Sequence, residues 1–425
     1  MKNTKLRLNK VYVDGYKNLS ECSTYLNDFN VLVGPNNSGK SNFLEIFAFV
    51  RELIMSGDDF RKRVFEHGIA PRGDSSTCRT EDDNCKPITI SFFMESKELS
   101  KPTLDIEYSL TVQCRPFWMD EKNLLNDKLG FISEQVTYKD RKKTGKAIIL
   151  IKRDRTEMQV RKTNSMSLPQ SIESYSSCLS VTKKIYPGFE GLDKNFNLIY
   201  LSLINLLSSM HITLSPNELR EDFDSGKKSE GFKLVSFDLL EEIAELHKNE
   251  KLYEQFTNTL CQILDLEETR FLTVPYPEDI RKNSKDLPET FNYFSLKLPH
   301  RHFLGMRNFS DGTFRVVALL ISVLSPTNDN VLTLIEEPEN CLHPKAVKTL
   351  ISYLKQISQD KQIFITTHSS YLLNNVSPED VIVARIKESG DTTFEKILNI
   401  KDLRKRLSRG FISFGDLLYD DFRDE

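Results

Sequence analysis

Phe29-Asn30-Val31-Leu32-Val33-Gly34-Pro35-Asn36-Asn37-Ser38-Gly39-Lys40-Ser41 is the stretch on which the reading of this chain turns. Its first five residues are an apolar, β-branched run of the kind that forms a buried strand. The next eight match G-x-x-x-x-G-K-S, and Asn42 to Val50 continue with helical spacing. Strand, glycine loop and helix together make a phosphate site, because each residue type has a task there. Gly34 and Gly39 let the backbone bend so that its N–H groups converge at a helix N-terminus. Lys40 reaches phosphate oxygens as a point charge, and Ser41 offers a hydroxyl to Mg²⁺. With Asn36, Asn37, Ser38 and Asn42, these residues form the candidate nucleotide-binding set.

Three further segments repeat the theme far downstream. Val331 to Ile335 reads as a second buried strand and runs into Glu336-Glu337-Pro338-Glu339. Paired carboxylates at the carboxyl end of a strand lie where open α/β sheets bind ligands. Glu336 is assigned to the metal shell, and Glu337 to the general base that polarises water against a γ-phosphate. A third strand pattern, Gln362 to Thr367, ends at His368, placed to hydrogen-bond the γ-phosphate and sense its loss. Between these and the phosphate loop, Ser310-Asp311-Gly312 heads the helical run Val316 to Leu324. Such an N-terminus suits an anion, although the same residues also make a plain turn and cap.

Composition narrows the class. The chain has 425 residues, with 58 Lys plus Arg against 61 Asp plus Glu, a net charge of −3. That balance excludes a protein whose whole surface clings to nucleic-acid phosphate, but not a local basic patch. The apolar run Val316–Leu324 spans nine residues, well short of the roughly 20 that a membrane helix needs. No apolar segment follows the basic N-terminus, so no secretory signal is read. Seven scattered cysteines without a C-x-x-C pair read as reduced thiols in a cytoplasmic protein.

Phosphate loop, Ser-x-Gly helix, acid-tipped strand and His-tipped strand follow one another in the order seen in ABC-type ATPases. Ser310 precedes Glu337 by 27 positions, and Glu337 precedes His368 by 31. The chain resembles the RecF, structural-maintenance-of-chromosomes (SMC) and overcoming-lysogenization-defect (OLD) branch, most of all the predicted AAA-type ATPases related to OLD. The segments that carry the likeness are Gly34 to Ser41, Phe309 to Thr313, Glu336 to Pro344 and Thr366 to Ser369, with Gly410 to Leu417 near the end. The resemblance implies an α/β fold, an ABC-type ATPase head with an antiparallel β-subdomain. It implies ATP and Mg²⁺, and a homodimer that sandwiches ATP between one subunit's phosphate loop and the other's Ser310 and Gly312. It places Asn340 and His343 at that interface and Lys17 near the nucleotide. Phe309, Thr313 and Glu336 depart from a transporter's pattern, in which Leu, Gln and Asp stand.

The residues between the motifs divide in two. Pro87 to Met94 and Leu104 to Val112 alternate as strands, and Phe131 to Tyr138 pairs with Ala147 to Lys152 across a Lys143-Thr144-Gly145-Lys146 turn. Residues 139–162 carry ten Lys and Arg against three Asp and Glu. That charge suits a DNA or RNA backbone, or else protects a solvated edge from aggregation. From Asn195 to Leu266 the spacing is helical, and residues 216–230 read as an exposed loop. The expected division is 1–190 for the first half of the head, 191–295 for a helical insertion, and 296–425 for the second half.

The leading expectation is an ATP-hydrolysing switch acting on nucleic acid or a separate effector, in anti-phage defence or DNA maintenance. Only 57 residues follow His368, too few for the C-terminal Toprim nuclease of OLD proteins, so a nuclease or toxin is expected as another chain. The alternatives are a slowly hydrolysing scaffold that sequesters such a subunit, a transporter's energising subunit, and a nuclease whose metal sits on His300 and His302 of a strand.

Overall fold

The computed structural model describes residues 6–70, 77, 80–81, 84–96, 103–115, 129–208, 211–213, 239–275, 290–324, 331–397, 399–408 and 413–421. The chain opens with β1 (Leu6–Asp14), β2 (Cys22–Tyr25) and β3 (Phe29–Val33). β3 is buried at every position, as a strand covered on both faces must be. Its polar member, Asn30, exchanges two hydrogen bonds with the Asn27 backbone, at 2.7 and 2.8 Å. Helices α1 (Lys40–Met55) and α2 (Asp58–His67) follow.

An antiparallel sheet comes next. After the two-residue strands β4 (Thr80–Glu81) and β5 (Asn84–Cys85), its members are β6 (Ile88–Ser96), β7 (Leu104–Gln113), β8 (Gly130–Asp140), β9 (Ile148–Asp154), β10 (Glu157–Val160) and β11 (Gln170–Ser171). With β1 and β2 they form eight strands in the order β11-β10-β9-β8-β7-β6-β1-β2. Burial in β7 alternates along its whole length, the period-two mark of a sheet with one face on a core. Two helices, α3 (Cys178–Ile185) and α4 (Phe196–Ser208), lie beyond it.

The remaining elements are β12 (His211–Thr213), α5 (Leu239–His247), α6 (Glu250–Leu264), β13 (Glu268–Pro275), β14 (Thr290–Lys297), β15 (Phe303–Gly305), α7 (Asp311–Leu324), β16 (Leu332–Glu336), α8 (Pro344–Ile357), β17 (Gln362–Thr367), α9 (Ser370–Leu373), β18 (Val381–Ile386), β19 (Thr392–Lys396), α10 (Ile400–Ser408) and α11 (Phe414–Asp421). A six-stranded sheet joins both halves of the sequence in the order β12-β16-β17-β3-β18-β19. All its pairings are parallel except β18 with β19. The phosphate-loop strand therefore sits between β17 and β18, which arrive more than 300 residues later.

Helix α1 is the wedge between the two sheets. Phe47 stacks on Phe92 of β6, with ring centroids 5.4 Å apart and planes 6° apart, and lies 6.0 Å from Phe364 of β17. Leu32 faces this core, whereas Val31 and Val33 face a second one built with α5 to α8. Phe256 of α6 meets Phe294 of β14 there, with centroids 5.9 Å apart. Burying each such ring stabilises the fold by roughly 1.5–3 kcal/mol.

Two sequence expectations change. The span 195–266 is not helical throughout, because β12 pairs His211–Thr213 beside Thr333–Ile335. Three residues are too few to display a period, and their partner is over a hundred positions away. His300 and His302 lie in the turn before β15, not on a strand, with His300 at φ 59°. No group of three or more metal-ligating side chains occurs among the described residues. The loop 216–230 lies outside the described residues. Among the described residues no helix is long and apolar enough to cross a membrane.

Candidate nucleotide site

Parallel pairing brings the three motif strands out at one sheet edge. Glu336 is in register with Thr366, and Thr366 with Leu32. The loops after β3, β16 and β17 thus leave from neighbouring strands on the same side, the ligand side of an open parallel sheet. An open cleft of about 740 Å³ lies there, lined by Lys17, Asn18, residues 36–42 and Glu337.

The phosphate loop is held by its own lysine. Lys40 Nζ donates to the carbonyls of Gly34 and Pro35 at 2.8 and 2.7 Å. Burial pushes the ammonium below its usual range, while the charges of Glu337 and Glu339 oppose the shift. Gly39 takes φ 75° immediately before α1, and Asn37 takes φ 63°. A Cβ on Gly39 would stand 2.8 Å from Thr392 Oγ1, so backbone conformation and space both require glycine. Ser41 is exposed at the first turn of α1.

At the acid-tipped strand, Glu337 turns out of β16 with φ 45° and donates its N–H to Thr366 O at 3.0 Å. Both its carboxylate oxygens are engaged. Asn340 Nδ2 donates to Oε2 at 2.6 Å, and His368 Nδ1 lies 3.0 Å from Oε1. Burial raises the Glu337 carboxyl, but those two hydrogen bonds and the charges of His368 and Lys40 outweigh it, leaving it below the usual range. Burial instead raises Glu339, whose carboxylate accepts from the Thr367 hydroxyl. His368 thus faces the carboxylate expected to act as base. Asn340, expected at an interface, is its second partner.

Ser310 is exposed and caps α7, accepting from Thr313 N at 3.2 Å and lying 2.8 Å from the Thr313 hydroxyl. Gly312 is buried, and a Cβ there would meet the Cys341 carbonyl oxygen at 2.2 Å. The glycine lets the head of α7 abut the loop after β16. Arg315 bolts the two together, donating from Nη2 to the carbonyls of Glu336 and Glu337. Lys17 lines the cleft, with its ammonium 2.5 Å from Glu45 of α1, a carboxylate only 1 % exposed. Asn18 lines it too and carries no sequence signal, being an ordinary turn residue until its contacts are seen.

A phosphate loop and an acid-tipped strand separated by a His-tipped strand, with an antiparallel sheet packed alongside, define an ABC-type P-loop ATPase head. Residues 29–374 match the family described as "AAA domain, putative AbiEii toxin, Type IV TA system", and the chain belongs to that family. No curated protein matches it. Among solved structures, an Smc head bound to the C-winged helix domain of ScpA is similar at 11 % identity. The match covers 93 % of this chain and 99 % of that one, with a TM-score of 0.52. The SMC head domain from Thermotoga maritima is 12 % identical over 92 % and 99 % of the two chains, with a TM-score of 0.43. An Smc head with an extended coiled coil from Pyrococcus furiosus, bound to the C-terminal domain of ScpA, is 11 % identical over 95 % and 99 %, at 0.46. At 11 % identity the likeness to the first of these is one of fold.

Proposed function

We propose that this head binds ATP in the cleft and hydrolyses it as a homodimer. The observation that carries the reading is the meeting of Lys40, Ser41 and Glu337 in one cleft, with His368 on Glu337. Entering phosphate oxygens replace the carbonyls of Gly34 and Pro35 on the Lys40 ammonium, and backbone N–H groups at the start of α1 complete the cradle. Glu337 accepts a proton from water as its oxygen attacks the γ-phosphorus and the bond to ADP breaks. Asn340 and His368 hold the carboxylate in place for that transfer. The Ser41 hydroxyl and Glu336 carboxylate are oxygen donors of the kind Mg²⁺ takes, one or two from protein and the rest from nucleotide and water. When bound, the ion neutralises charge on the β/γ oxygens. The exposed Ser310 is the surface a partner subunit's nucleotide would meet.

ATP turnover, nucleotide binding and light scattering test this together. Lys40→Ala is expected to lose ATP binding. Glu337→Gln is expected to bind ATP, to slow turnover by about 10²–10⁴-fold, and to accumulate as a dimer. Unchanged turnover in Glu337→Gln would remove the assigned base.

A slowly hydrolysing scaffold for a separate toxin or nuclease is the second reading. Its support is that Lys40 and Glu337 both begin engaged by the protein's own groups, and that the family description names a toxin–antitoxin system. A role in anti-phage defence or DNA maintenance belongs with either reading. Nucleic acid would meet the basic hairpin, where eight of the ten cations are exposed, Arg161 is half-buried and Arg153 is internal.

A further inference from the structure

The turn at Gly15 to Ser20 takes no part in the chemistry above, yet it reaches the phosphate loop at Asn37, backs Gly39 and meets the first turn of α1 at Asn42. Asn18 Nδ2 donates to Thr392 Oγ1 at 2.8 Å and lies 3.5 Å from Asn37 O. Its Oδ1 accepts from Asn42 Nδ2 at 2.7 Å, and its backbone carbonyl accepts from Thr392 N at 2.9 Å. One side chain thus spans the crown of the loop, the first turn of α1 and the start of β19.

Thr392 is fully buried, and Cys22 Sγ donates to its carbonyl at 2.6 Å. It bridges to Leu19 of the same turn. Its hydroxyl and the Asn18 amide are what a Cβ on Gly39 would strike. The left-handed Gly39 is therefore backed by a polar pair assembled from opposite ends of the sequence. Lys40 braces the start of the loop from within, and the Asn18–Thr392 pair stands behind its Gly39 end.

We propose that Asn18 and Thr392 form a latch that holds the phosphate loop in its nucleotide-receptive shape before ATP arrives. Both are positioning residues, acting through Asn37, Gly39 and Asn42. The latch rests on the reading of the cleft as a nucleotide site. Its effect falls on affinity rather than on the chemical step, since neither residue touches Glu337 or His368.

The test uses the full-length protein. Hydrogen exchange of residues 34–42 is followed without nucleotide, alongside binding of a fluorescent ATP analogue and turnover at saturating ATP. Thr392→Val replaces the hydroxyl by a methyl of equal size, Thr392→Ser keeps the hydroxyl, and Asn18→Ala removes the other partner. Thr392→Val and Asn18→Ala are expected to speed exchange in 34–42 and weaken binding by about tenfold, the worth of one hydrogen bond with its partner left unpaired. Thr392→Ser should stay within about twofold of the parent, and saturated turnover should hold in both Thr392 variants. Equal weakening in Val and Ser, or weakened binding with unchanged exchange, overturns the latch. If the parent binds no nucleotide the functional reading fails, while the exchange measurement still decides the latch.

Discussion

A single methyl group distinguishes what Gly312 does in this subunit from what it offers a neighbour. Its Cβ position lies 2.2 Å from a carbonyl oxygen of the loop that carries Glu337, so Gly312→Ala must push α7 away from that loop. Overpacking of this kind costs about 1–3 kcal/mol. In a chain of 425 residues that lowers the melting temperature by about 1–3 °C, which calorimetry without nucleotide would register. A variant that melts with the parent and loses only turnover would show instead that the glycine serves the γ-phosphate alone. Lys40, Ser41, Glu337 and His368 were legible in the sequence because each ends or follows a short apolar strand, so pattern and place coincide. The Asn18–Thr392 contact was not. It joins residues 374 positions apart through one amide and one hydroxyl, and neither has a periodicity to betray it.

Among the elements, α3 shows how this fold anchors a short helix. Glu134 of β8 is fully buried and accepts from Ser177 Oγ at 2.7 Å, Cys178 N at 2.6 Å and Tyr108 OH at 3.1 Å. A carboxylate at a helix N-terminus meets both free N–H groups and the positive end of the dipole. Replacing Glu134 by Ala leaves those donors buried and unpaired, at about 1–3 kcal/mol for each group. Amide exchange should then lose protection in α3 before α1. Uniform loss across both helices would mean that the anchor belongs to the whole core. The antiparallel sheet was readable because alternation is its signature. α5 and α6 were readable as helices from spacing, but their seat on β14 was not, since amphipathic spacing names a face and leaves its partner open.

Over the whole molecule, the near-neutral charge conceals an uneven surface. Arg153 is spent internally, donating to the carbonyls of Glu173 and Ser174 at 2.9 and 3.1 Å, and Arg141 pairs with Glu95 and Asp105. Lys142, Lys146 and Lys152 remain exposed without an ion pair among the described residues. If the hairpin tracks a nucleic-acid backbone, reversing these three to Glu should weaken duplex DNA binding. The slope of log affinity against log salt should fall by about 2–3, at roughly 0.9 per phosphate contact. An unchanged slope would return the patch to a solvated edge.

The placing of β3 between β17 and β18 also has a consequence for how the protein is made. The ribosome delivers Phe29–Val33 about 330 residues before Gln362 emerges. At 5–20 residues per second the strand waits on the order of tens of seconds for either neighbour. Until then both its edges are open and its five residues have no sheet to enter. The β1–β6 pairing lets the antiparallel sheet begin early, whereas the nucleotide cleft closes only as the last quarter of the chain arrives. A nascent chain stalled before Gln362 would carry the whole phosphate-loop motif and still lack both flanking strands and the threonine that shape it.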